Sequence, residues 1–138
     1  MNITASFPPS LAPRAVAMIA FDGVATLDLT GPLEALSLAR FSGAKGEARP
    51  CYRPIVNGLE KRSCTSQSGL VFEAEACAGS SDPFDTILIP GGSGLRQPET
   101  TRRVAGWLAA RASSTRRIAS VSTGLYALAQ SGLVDGRP

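Results

Sequence analysis

The sequence predicts a three-layer α/β sandwich on a mainly parallel sheet, and three observations predict it. Short apolar runs that suit strands covered on both faces alternate with segments of helical period. Turn residues punctuate them. Their spacing is that of strand–helix–strand crossovers, which set parallel strands side by side. At 138 residues the chain makes one domain with a core of moderate size. Apolar residues are 43% and charged residues 18%, a globular and not a disordered balance.

The stretch Met1 to Pro13, with Pro8, Pro9 and Pro13 and no basic run, reads as a disordered leader, leaving residues 14–138 as the domain. Ala15 to Phe21 is a continuous apolar run and reads as a buried strand ended by Asp22-Gly23. It is far short of the ~20 residues that a membrane span needs, and with no signal-peptide flanks it points to a cytoplasmic protein without membrane contact. A helix is expected to start around Thr30 or Gly31 as cap, with Pro32 at its first position, and to stop by Gly43. Leu29, Leu33 and Leu36 would share its apolar face.

Tyr52 to Val56 reads as a short strand that Pro54 pushes toward an edge or a bulge. Arg62 to Glu75 alternates weakly around Gly69, as a small hairpin does. Asp85 to Pro90 is the clearest central strand and runs into Gly91-Gly92-Ser93-Gly94. Val104, Trp107, Leu108 and Arg111 follow the i, i+3, i+4, i+7 pattern of a helix over 98–112. Arg117 to Val121 is a further strand, and Leu125 to Gln130 a further helix closed near Gly132.

Composition excludes several chemistries. The chain has no histidine, so neither a Ser-His-Asp triad nor a Cys-His pair can be completed within it, and no metal site is expected. Cys51, Cys64 and Cys77, odd in number and widely spaced, read as free thiols of a reducing compartment. A net charge of +3 is too small to argue for a nucleic-acid surface.

Ligands of open α/β sheets bind beyond the carboxyl ends of the strands, and two such ends stand out. At Ile89-Pro90-Gly91-Gly92 the missing side chains let the backbone approach a ligand, although a plain tight turn has the same composition. Ser120-Val-Ser-Thr-Gly124 has the form small-x-nucleophile-x-small. That form fits a nucleophile elbow, with Ser122 exposed on a sharp strand-to-helix turn. It equally fits a Ser/Thr helix cap.

Val24-Ala-Thr-Leu-Asp-Leu-Thr-Gly-Pro-Leu-Glu34, Ile87-Leu-Ile-Pro-Gly-Gly92 and Ile118-Ala-Ser-Val-Ser-Thr-Gly124, followed by Leu133-Val-Asp-Gly-Arg137, resemble the DJ-1/PfpI superfamily. Within it the chain is most similar to the class I glutamine-amidotransferase-like sensor domain of AraC-type transcriptional regulators, and Gly92-Ser-Gly-Leu-Arg96 tilts the resemblance that way. The resemblance implies a flavodoxin-like sandwich, C-terminally truncated, whose incomplete sheet edge favours a homodimer. It implies that Asp28 approaches the elbow residue Ser122, and that Gly92 and Thr123 supply backbone oxyanion donors. Asp28, Gly91, Gly92, Ser122 and Thr123 would line a pocket for a small-molecule effector, with no cofactor. DNA contact would come only through a C-terminal helix-turn-helix domain outside this sequence.

Ser122 stands where enzymes of the superfamily carry cysteine. A serine hydroxyl needs a general base, and a carboxylate of ordinary pKa is a poor one at neutral pH. Sensing is therefore favoured over a hydrolase or isonitrile hydratase-like enzyme that uses Ser122 with Asp28. A dimerisation module with a vestigial pocket is the third reading.

Overall fold

A computed structural model describes residues 12–42, 46, 48–77, 79 and 83–137. Most of the expected leader, residues 1–11, lies outside the described residues. β1 (Arg14–Ala20) takes the middle of a five-stranded parallel sheet because its run has no polar side chain to expose: Val16 to Phe21 are all buried. β4 (Tyr52–Gly58) pairs with it on one side and β8 (Thr86–Ile89) on the other. β7 (Ala76–Cys77) extends the sheet beyond β4 and β9 (Arg117–Ser120) beyond β8, giving the order β7-β4-β1-β8-β9. This is a flavodoxin-like arrangement.

Two short antiparallel pairs stand apart from the sheet. β2 (Arg40–Ser42) pairs with β3 (Ala48–Pro50), a hairpin that no sequence signal announces. β5 (Ser63–Thr65) pairs with β6 (Val71–Glu73), within the hairpin expected over 62–75. β4 is longer than its sequence suggests and lies inside the sheet. Pro54 is accommodated because β7 reaches only Asn57 and Gly58, so beside Pro54 the outer flank of β4 has no ladder to interrupt.

α1 spans Thr26–Leu38, so it starts before the expected cap at Thr30 or Gly31, and Pro32 lies inside it. The earlier start carries Asp28 into the first turn, where the positive end of the helix favours a carboxylate. Ala25 is the N-cap residue instead, and its N–H donates to Gly91 O at 2.8 Å. α2 (Pro98–Arg111) follows a 3-10 turn at Ser93–Arg96 and buries Thr101, Val104, Ala105, Trp107 and Leu108. Trp107 meets Phe84 with ring centroids 6.4 Å apart, and the Arg111 guanidinium sits over the Trp107 ring, 4.4 Å from its centroid. α3 (Gly124–Gln130) packs against α2.

The crossover from β1 to β4 runs one way along the sheet and that from β8 to β9 the other. Right-handed crossovers therefore put α1 and α2 on opposite faces. Met18, Ile19, Ile87, Ile89, Val104 and Leu108 are the fully enclosed centre. Asn57 is the exception: wholly buried on β4, its side-chain amide has no hydrogen-bond partner among the described residues. No helix among the described residues is long and apolar enough to cross a membrane.

Candidate functional site

Because the chain leaves β1 toward β4 but leaves β8 toward β9, the sheet has its switch point between β1 and β8. In an open α/β sheet the crevice beyond that point is where ligands bind. Three segments meet there: Phe21–Ala25 after β1, Pro90–Gly92 after β8, and Val121–Thr123 after β9. They interlock through the backbone. The Gly94 N–H donates to Gly23 O at 3.0 Å, and the Val121 N–H to Ile89 O at 2.9 Å. Gly92, at φ +143°, has no room for a side chain, since a Cβ would run into Gly23 O and lie 2.5 Å from the Ala25 nitrogen.

Ser122 is the one non-glycine residue with positive φ among the described residues, at +52°, and it is exposed. That backbone region is costly for an L-residue outside glycine. Its occupation at a strand-to-helix corner is the geometry of an elbow. The alternative, a Ser/Thr cap, is not what the helix uses: no side chain caps the start of α3. Instead the Thr123 Oγ1 accepts the Gly92 N–H at 3.0 Å.

Asp28, half-buried in the first turn of α1, accepts the Gly91 N–H through Oδ2 at 3.2 Å. Gly91 is the meeting point of the candidate residues. A Cβ on it would lie 2.6 Å from Thr123 Oγ1, 2.7 Å from Asp28 Oδ2 and 2.9 Å from the Thr123 nitrogen. The next amide along, Ser93 N–H, donates to Gln67 Oε1 at 2.9 Å. Three successive amides, Gly91, Gly92 and Ser93, thus end on side-chain oxygens from three separate segments.

The structure brings Asp28, Gly91, Gly92 and Thr123 together and sets Ser122 beside them, and it adds two hydrogen bonds to the expected picture. Asp28 bonds to the Gly91 amide, and no hydrogen bond joins it to Ser122 among the described residues. The Gly92 amide, expected as an oxyanion donor, donates to the Thr123 hydroxyl at 3.0 Å. The cause is the tight turn that puts Thr123 against Gly91. The sequence carries no signal for the bond between Thr123 Oγ1 and the Gly92 amide, nor for the part played by Gln67. A glutamine within a polar turn carries no motif, so nothing in the sequence singled it out.

Nearby, a recess of about 140 Å³ opens at the same end of the sheet, bordered by Phe21, Asp22, Lys61, Cys64 and Thr100. None of the five candidate residues lines it. At its rim Lys61 Nζ pairs with Asp22 at 2.9 Å, and the Thr65 N–H donates to the same carboxylate at 2.9 Å. The Lys61 hydrogen bond, then the Thr65 amide, hold the Asp22 carboxyl below its usual range. Burial pushes the Cys64 thiol up, away from the thiolate that reactivity requires. Among the described residues no three acidic or thiol side chains gather as a metal would need.

A family profile described as the DJ-1/PfpI family matches residues 14–138. A protein of the cpoL 5′ region of Streptomyces lividans is 30% identical over 125 residues, 91% of this chain and 84% of that protein. The HTH-type transcriptional regulator GbdR of Pseudomonas aeruginosa is 30% identical over 130 residues, 94% of this chain but 34% of the regulator's length. Among solved structures, the thiJ/pfpI family protein from Bacillus anthracis superposes with a TM-score of 0.73 at 16% identity, over 91% of this chain and 58% of that one.

Proposed function

The chain belongs to the DJ-1/PfpI family, and on that premise we propose that it is the ligand-sensing and dimerisation domain of an AraC-type transcriptional regulator. In this reading Asp28, Gly91, Gly92, Ser122 and Thr123 contact the small molecule where the loops after β1, β8 and β9 meet, apart from the recess bordered by Lys61 and Cys64. The observation that carries this reading is the likeness, over 94% of this chain, to one third of an HTH-type regulator. DNA contact in such a protein falls to a separate helix-turn-helix domain, and the protein works in the cytoplasm as a homodimer.

The site's chemistry supports sensing over turnover. Ser122 presents a hydroxyl and not a thiol, the chain has no histidine to act as base, and the Gly92 amide is already hydrogen-bonded. A metabolite screen by thermal denaturation tests the reading. A true effector at a hundredfold excess over its Kd stabilises the fold by about 2.7 kcal/mol, and Asp28→Ala removes the effect. Covalent turnover with no reversible stabilisation would overturn it.

One observation favours a second reading, a hydrolase or hydratase: the strained, exposed backbone of Ser122 at φ +52°. Turnover that survives Ser122→Ala would remove it.

A further inference from the structure

The β5–β6 hairpin pairs with no other strand among the described residues. An isolated two-stranded hairpin is marginal in water, so its neighbours set its position. Cys64 and Ala74 anchor its base in the core. Its turn is held by the loops of the candidate site. The Gly23 N–H donates to Thr65 O at 2.7 Å, the Gln67 N–H to Val24 O at 2.9 Å, and Thr26 Oγ1 and Ser68 Oγ lie 2.7 Å apart. Among the described residues, the hydrogen bond that crosses from the turn to the glycine loop is that from Ser93 N–H to Gln67 Oε1. Just past the turn, Leu70 and Val71 are exposed at 50% and 63%.

The geometry points to Gln67 as a positioning residue that couples the glycine loop to the hairpin, which makes the hairpin the output element of the site. A ligand oxygen that takes the place of Thr123 Oγ1 on the Gly92 amide pulls on Gly92 through that hydrogen bond. Gly92 cannot move alone, because its Cα face is packed on Gly23–Ala25 and its neighbour Ser93 is tied to Gln67. The motion therefore passes to the turn and changes how Leu70 and Val71 are presented. Glutamine suits the role because its carboxamide oxygen accepts the Ser93 N–H on a side chain long enough to bridge two loops. The proposal rests on the reading of residues 91–93 as the wall of a ligand site, although the coupling itself needs no ligand to be measured.

The test is amide hydrogen exchange on the whole chain in four variants. Gln67→Met removes the acceptor at nearly constant shape, and Gln67→Glu keeps one. In Gln67→Met the Ser93 amide exchanges about fivefold to tenfold faster, as expected for one lost hydrogen bond, whereas Gln67→Glu keeps wild-type protection. Thr123→Val, which frees the Gly92 amide, speeds exchange at the Gln67 amide in the wild-type background. Combined with Gln67→Met its effect falls short of the product of the single changes by about threefold or more, as coupled residues require. Changes that multiply independently, or a Gln67 amide indifferent to Thr123→Val, would overturn the proposal. The sensing reading fails separately, by the absence of any stabilising metabolite.

Discussion

The Thr123 hydroxyl accepts the Gly92 N–H at 3.0 Å, so the elbow carries its own occupant for the amide that would steady a developing oxyanion. Stabilisation of that charge needs donors already aimed at it. Here the donor is already hydrogen-bonded, so any oxyanion at the corner has first to displace the hydroxyl.

Gly91→Ala strikes at the contact point of the site. Its Cβ would fall within 3 Å of Thr123 Oγ1, Asp28 Oδ2 and the Thr123 nitrogen. The elbow and α1 must separate, and the expected loss is about 1–3 kcal/mol in denaturant unfolding. Wild-type stability would show that these loops are not packed as described.

Ser122→Gly relieves the positive φ. Glycine adopts that region without the Cβ penalty, and its extra chain entropy offsets part of the gain, so the fold gains about 0.5–1 kcal/mol. A loss on chemical denaturation would mean that the hydroxyl holds the corner together. The same variant should not bind an effector that touches the hydroxyl, which would separate strain from function.

These two positions show what the sequence could and could not convey. The corner was legible only in part: small residues at Ser120 and Gly124 are a steric condition that composition records, but the same form fits a helix cap, and the positive φ of Ser122 separates the two. The parallel sheet was legible because buried strands such as β1 have no polar alternation. The start of α1 was not, since Pro32 invites a first-turn placement that tertiary contact overrides: the Ala25 amide is claimed by Gly91 O, and the helix begins beside it. Partners such as Thr123 Oγ1 for Gly92 and Gln67 for Ser93 lie 31 and 26 residues apart in the chain. No local pattern reports such pairs.

Acid stability should depend on Asp85. Arg116 grips its carboxylate through two hydrogen bonds, at 2.7 and 2.6 Å, and Arg14 stands 3.9 Å away. The Arg116 hydrogen bonds lead in holding its pKa below the usual carboxylate range. A folded-state pKa below the unfolded one contributes stability above the unfolded value and loses it as pH falls through the folded value. Asp85→Asn should therefore cost roughly 1 kcal/mol at neutral pH, with the gap to wild type closing below about pH 4. A gap that stays constant with pH would contradict this assignment.

Asn57→Leu should stabilise the protein. The native amide is wholly buried without a partner among the described residues, and an unpaired buried polar group costs about 1–3 kcal/mol. Leucine has the same number and branching of side-chain heavy atoms, so it removes that cost beside Ile19 and Ala76 and asks only for the extra room of its methyl groups. A lower unfolding midpoint in the variant would contradict it.

The most direct measurement of the central claim is a reversible-binding screen on the whole chain, read as a shift in the thermal unfolding midpoint. Wild type, Asp28→Ala and Ser122→Ala would be compared against the same metabolite set. The account predicts a compound that raises the wild-type midpoint in proportion to the logarithm of its concentration, is recovered unchanged, and loses its effect in Asp28→Ala. A compound consumed by wild type but not by Ser122→Ala would contradict it and make the corner a catalyst.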